Sequence, residues 1–483
     1  MTDGREGYDP PGRLVMGGES LVRALLVALI SLAVVATPAS ASQAPPVTEG
    51  TRSVLFVGNN WDGTADVIDP HTFERLKRIN VIPDIDERMA EIRSDPERLA
   101  FYLAIQQFLG EGNDQYVDDM FSSHDGRFMY VSRPSLADVV AIDLATGDIA
   151  WRFAMEGQRS DHMAISPDGS RLLVSDSTER KVHELDTATG EKVGEFASGD
   201  TPHENNYSKD GSKVFHASIG MVYTPLDRPA LDTTKGDRWF QVVDASTNEV
   251  VKRLDIGEIL AEHGHEDFSS AVRPMALSPD EKIVYLQLSF FHGFVVFDLV
   301  EDKPIRIVDL PNLKPEQQRE EYVLDSAHHG IALNPDGTKL CVAGTMSDYA
   351  AIVDTKTYTP TLHKGVTKPY WSTNSADGKY CFVSASKDDQ VVVIDYATEK
   401  VVARIDVGTH PQRMRMAVVR SEYLAGDDRD DNDEQSPRRD DEEAVADAAT
   451  QPPVLPATGG GLLWPALGLL VAGVVVRRAR RGA

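Results

Sequence analysis

Seven and eight residues before a recurring turn, this sequence repeatedly places side chains able to bind a metal, move a proton or hold an anion. The pairs are Asp118-Asp119, Asp161-His162, His203-Glu204, Arg273-Pro274, His329-Gly330 and Tyr370-Trp371, with Gln412-Arg413 in a last segment that lacks the turn. The candidate ligand-binding set is Asp161, His162, His203, Glu204, Arg273, His328, His329, Tyr370, Trp371 and Arg413, with His328 included as the neighbour of His329. Imidazoles suit copper or zinc, with Glu204 or Asp161 as an oxygen donor, and His203 and His329 are the first choice of ligands. A carboxylate or histidine as base, with Arg273 or Arg413 steadying an oxyanion, suits hydrolysis or lactone opening instead. There is no HExxH, no GxSxG elbow and no paired cysteine ligand, so the sequence requires no cofactor and singles out no catalytic residue. The same polar set would equally line a hydrated tunnel. His263-Gly264-His265 lies in a polar insertion and reads as a solvated loop rather than a metal clip.

Those positions take their meaning from the elements around them. Two short patterns alternate along the chain. The first is a strand, a turn and a second strand, as in MFSSHDGRFMYV, MAISPDGSRLLV and IALNPDGTKLCV, with six copies in all. Asp-Gly between alternating apolar runs marks a hairpin, because glycine tolerates the positive φ of a tight turn. The second is an apolar residue followed by Asp-x-x-Thr, at Asp69, Asp143, Asp186, Asp244, Asp354 and Asp395, with Glu301 replacing the threonine after Asp298. Two hairpins per period make a four-stranded antiparallel unit, and a ring of such units hides its sheet edges.

Six hairpins against seven Asp-x-x-Thr segments imply a shared unit. Residues 52–80 supply only three strands, and HPQRMRMAVV at 410–419 supplies a fourth. The expected fold is all-β: a seven-bladed β-propeller over residues 52–419, closed by a C-terminal strand that completes the first blade. These units resemble those of YVTN-repeat, YncE-like propellers, a likeness that implies the fold and leaves the activity open. The segments 82–116, 257–272 and 311–327 connect one unit to the next, and 221–238 joins the second and third strands of its unit. In an up-and-down sheet both kinds of connection emerge on one face, so the insertions and the candidate residues share a working face. Apolar residues at helical spacing in 82–116 predict one or two helices there, lying over the mouth, with plain packing against the ring as the alternative. Trp61, Tyr349, Phe290, Phe291 and His292 are expected as exposed recognition residues on that face.

Both ends carry processing signals. Arg13 and Arg23 precede an apolar run from Leu25 to Val35 and then Ala39-Ser40-Ala41, which predicts a signal peptide over 1–41 cleaved after Ala41, with Met16 as an alternative start. The run falls short of the ~20 residues of a spanning helix, which disfavours an uncleaved anchor. At the other end Leu455-Pro456-Ala457-Thr458-Gly459 is followed by apolar Leu462–Val476 and by Arg477, Arg478, Arg480 and Arg481. This order is similar to the sorting signal of sortase substrates in Gram-positive bacteria. The likeness implies cleavage after Thr458 and linkage to peptidoglycan at the cell wall, with sortase as partner and the membrane engaged only by the C-terminal helix before sorting. A permanent tail anchor is the alternative. Residues 420–454 are acidic and almost free of aromatics, a disordered spacer between the fold and the signal at 455–483.

The formal net charge is −27, much of it in that spacer, and it excludes nucleic acid as a partner. What remains is a surface binding or scaffolding module for a small molecule, glycan or protein. The alternative is an extracellular metal-dependent oxidoreductase or lactonase-like hydrolase. Cys341 and Cys381, the only cysteines, fall on second strands of adjacent units. With sheets about 10 Å apart they are expected as two buried thiols, unless the blades converge there.

Overall fold

Each Asp-x-x-Thr segment is a turn held by its own aspartate. Asp354 Oδ1 accepts from the backbone N–H of Lys356 at 3.0 Å and of Thr357 at 2.8 Å, and from the Thr357 hydroxyl at 3.0 Å. After Asp298 the Glu301 N–H takes the same place at 3.0 Å, so the missing threonine costs the turn only its hydroxyl bond. In the other turn Ser166 Oγ donates to Asp168 at 2.6 Å and accepts from the Arg171 N–H at 2.9 Å. The one copy without glycine sets Glu281 at φ 56°, the left-handed conformation that glycine takes elsewhere.

The computed structural model of the chain describes residue 1 and residues 45–222 and 234–424. Seven four-stranded antiparallel sheets follow one another around an axis. The first contains Pro411–Arg420, Thr51–Asn59, Thr64–Ile68 and Arg75–Asn80, so the C-terminal strand is its innermost member and closes the ring. Blades 2 to 7 begin with innermost strands Asp119–Ser122, Ser160–Ile165, Pro202–Tyr207, Val272–Leu277, Ile331–Leu333 and Pro369–Asn374. Each interface between neighbouring blades has its own apolar cluster. Phe56, Val67, Met129 and Val131 join blades 1 and 2, and Leu55, Met414, Phe382 and Val393 join blades 7 and 1.

The second-to-third connections and the links between blades lie on one side. Backbone bonds tie them together there: Tyr116 N–H to Asn60 O at 2.8 Å, Ser135 N–H to Gln115 O at 2.9 Å, and Phe290 N–H to Asp325 O at 2.8 Å. The first insertion folds as helix α1 (Ile85–Ser94) and helix α2 (Pro96–Ala104), continued by one wider turn over Ile105–Leu109. Asp95 caps α2 by accepting from the Glu97 and Arg98 N–H groups. Ile92 and Tyr102 bury themselves in the cluster of blades 1 and 2, so these helices pack on the ring wall. Helix α3 (Ile256–Glu262) opens the insertion before blade 5.

Two expectations are corrected. Cys341 and Cys381 form a disulfide, with Cα atoms 6.4 Å apart, because second strands of adjacent blades converge toward the axis well inside the usual spacing of stacked sheets. The aromatic residues expected as exposed are packed instead: Tyr349 and Phe290 are buried, and Trp61, Phe291 and His292 are partly covered. Trp61 lies flat on His410 with ring centres 3.7 Å apart, and the Tyr349 hydroxyl meets His328 at 3.1 Å. The signal peptide with Ala41, residues 223–233, most of the spacer, and Leu455, Pro456, Ala457, Thr458 and Gly459 with the apolar run after them lie outside the described residues. Among the described residues no helix is long and apolar enough to cross a membrane.

Candidate functional site

A regular strand would aim alternate residues at the axis, yet here consecutive residues converge on it. The cause is an irregularity repeated around the ring. In blade 3 Ser160 pairs with Asp176 and Met163 with Val174, so Asp161 and His162 together face Ser175. The same two-against-one pairing sets His203 and Glu204 against Ala217, Arg273 and Pro274 against Gln287, Tyr370 and Trp371 against Ser384, and Gln412 and Arg413 against Gly58. Such bulges re-aim side chains, and they concentrate at functional sites. The facing residue also reaches the next blade. Ser132 Oγ donates to the Asp161 carbonyl at 2.8 Å, Ser175 Oγ to that of His203 at 2.9 Å, and Gln287 Nε2 to that of Gly330 at 3.1 Å.

The result is a closely packed polar cluster, hidden from solvent. His162, His203 and His329 stand together, with ring centres 3.6 Å apart for the first two, 5.6 Å for the last two and 6.2 Å for the outer pair. His162 Nδ1 lies 2.7 Å from Glu204 Oε2, while its Nε2 is 3.4 Å from Asp161 Oδ1 and 4.0 Å from Asp118 Oδ2. His329 Nδ1 is 3.3 Å from the Tyr370 carbonyl oxygen. Arg413 stacks over Trp371 at 4.1 Å and points Nε at Asp118 Oδ2 at 3.4 Å, but its two terminal nitrogens have no partner. Arg415 grips Asp119 through two bonds of 2.8 and 2.7 Å, and Arg159 pairs with Asp161. Arg273 donates to Ser289 at 3.0 Å and to the Leu324 carbonyl in the last insertion.

Burial sets the protonation of this cluster. It lowers the pKa values of His162, His203 and His329 well below the ordinary imidazole value, helped by the positive charge of Arg413, so all three are neutral near pH 7. Burial pushes Asp118 up to about 7, and the charge of Asp161 adds to the effect. It also raises Glu204. Neutral imidazoles beside carboxylates of mixed protonation can ligate a cation or exchange a proton, and an unpaired guanidinium next to them can hold an anion.

Of the residues read from the sequence, Asp161, His162, His203, Glu204, Arg273, His329, Tyr370, Trp371 and Arg413 belong to this cluster. His328 does not. It precedes the pair His329-Gly330 and turns away to Tyr349 and His292, and burial holds its pKa down at about 3. Asp118, from one of the axial pairs, joins the cluster, and so do Arg159 and Arg415. Arg415 was legible, since it follows Arg413 by two along a strand and therefore shares its face. Arg159 reaches in from the link before its strand, where no periodicity applies. His263 and His265 are exposed, as expected.

No protein-family model matches the sequence, and no curated protein matches it. Among solved structures the chain is similar to one of the hydrazine synthase of Kuenenia stuttgartiensis. The identity is 16%, the match covers 61% of this chain and 88% of that one, and the TM-score is 0.46.

Proposed function

We propose that this is an exported, wall-anchored β-propeller that binds a small molecule carrying a carboxylate or phosphate, an acidic sugar among them, in its axial cluster. The carrying observation is Arg413: it is fully buried, yet both terminal nitrogens lack a partner. A buried charged donor left unsatisfied is costly, and it is retained where something else completes it. Trp371 lies under the Arg413 guanidinium and Tyr370 against the His329 ring, each at 4.1 Å, and together with the bulged strands they hold the donors on rigid elements. The terminal signals support export and sortase-dependent attachment. Titration calorimetry with glucuronate and with inorganic phosphate tests the site. Arg413→Gln is expected to weaken binding of whichever is bound by ~30-fold or more, while Arg404→Gln on an outer strand leaves it unchanged. Equal affinity in both variants rejects the site. Cell fractionation tests the anchoring, since Thr458→Ala should move the chain from the wall to the membrane fraction.

A further inference from the structure

We propose that His162, His203 and His329 form a three-imidazole site for one divalent transition ion, copper or zinc, on the propeller axis. The inference rests on the reading of the axial cluster as the working site and gives that site a cofactor. The three histidines come from blades 3, 4 and 6, and each offers a ring nitrogen within 4.8 Å of the others. Tetrahedral bonds of the usual length place nitrogens roughly 3.3 Å apart, a contraction that small side-chain rotations supply.

The surroundings of the rings argue more strongly than their proximity. Metal-bound histidines almost always donate their second ring N–H to a carboxylate or a backbone carbonyl, which fixes the tautomer. His162 Nδ1 has the Glu204 carboxylate at 2.7 Å, and His329 Nδ1 has the Tyr370 carbonyl at 3.3 Å. Each bond leaves Nε2 as the electron-pair donor. His203 Nδ1 is buried without any partner, the condition of a nitrogen waiting for a ligand. Asp161 and Asp118 stand next to His162 Nε2, ready to add an oxygen or to hold a bound water. A second cluster, Glu156, His183 and Glu195, makes no such case, because Lys181 and Lys192 already neutralise its carboxylates.

The full chain, stripped with chelator, is titrated with Zn(II) and Cu(II) and compared with His203→Gln, His329→Gln, Glu204→Gln, His183→Gln and His328→Gln. The wild type is expected to take up one ion per chain, and the first two variants to lose binding by at least ~100-fold. Glu204→Gln, which acts through His162, should weaken it by ~10- to 100-fold. His183→Gln and His328→Gln should bind as wild type. Electron paramagnetic resonance of the wild-type Cu(II) form should show three nitrogen ligands, which decides the matter even if a histidine variant does not fold. Absence of stoichiometric binding, fewer than two nitrogen ligands, or loss of the ion in His183→Gln alone overturns the proposal. Anion binding lost in Arg413→Gln with metal uptake intact would separate the fate of this inference from that of the ligand reading.

Discussion

Between the blades the buried surface is aliphatic and aromatic, whereas around the axis it is built from Asp118, Asp161, Glu204, Arg159, Arg273, Arg413 and three histidines. Both linings are equally shielded from water, so shielding alone does not explain either. Apolar contacts between blades gain free energy from burial, at about 25 cal/mol per Å². Charges at the axis lose hydration and recover it only through good pairing. Arg415 with Asp119 is such a pair; Arg413 is not. A costly lining kept where an apolar one would close the ring is what the binding reading proposed above accounts for.

Four measurements sharpen or break that contrast. Phe382→Ala, in the cluster joining blades 7 and 1, should cost about 3 to 5 kcal/mol in denaturant unfolding, and a loss below ~1 would show that the interfaces do not carry the ring. Removing the disulfide with Cys341→Ser plus Cys381→Ser should cost about 3 to 4 kcal/mol, given a span of 40 residues; an unchanged midpoint under reducing and oxidising conditions would contradict it. At the axis the sign reverses. Because the folded pKa of Asp118 lies near 7 and the unfolded one near 3.8, the folded chain keeps a proton that the unfolded chain has released between those values. Stability contributed by this group therefore falls as pH rises through that window. Asp118→Asn in the metal-free chain should gain about 1 to 2 kcal/mol at pH 8 and little at pH 4, and a loss at pH 8 would mean that the Arg413 contact outweighs burial. On the tight-turn face Ser166→Ala removes the bonds to Asp168 and Arg171, with an expected cost of about 1 kcal/mol, measured by thermal melting.

The ring was legible because its turns are local chemistry: Ser-x-Asp-Gly and Asp-x-x-Thr each satisfy their own backbone, so they survive in any context. Closure followed from counting strands, and the C-terminal strand indeed pairs Arg52 with Val419 and Val54 with Ala417. The axial pairs were visible as a fixed offset, but the reason that both members point inward was not, since a bulge depends on the neighbouring strand. His328 lies one residue outside its pair, His329-Gly330, and turns to Tyr349 and His292 instead. The cysteines were misjudged because a mean sheet spacing ignores the wedge shape of a blade near the axis. Arg159 had no periodic signal at all, and its place beside Asp161 is a tertiary fact.

The closing strand also settles a matter of orientation. Its last residue pairs with Thr51, the Arg420 N–H bonds to the carbonyl of Gly126 in a tight turn, and Ser421 N–H bonds to Gly50. The chain therefore leaves the disc from the side of the short turns, behind the insertions. Under the wall attachment proposed above, the decorated side would face away from the point of attachment. A force applied to the C-terminal end of this ten-residue strand would drag it lengthwise past its neighbour, so that many backbone bonds resist together rather than opening one by one.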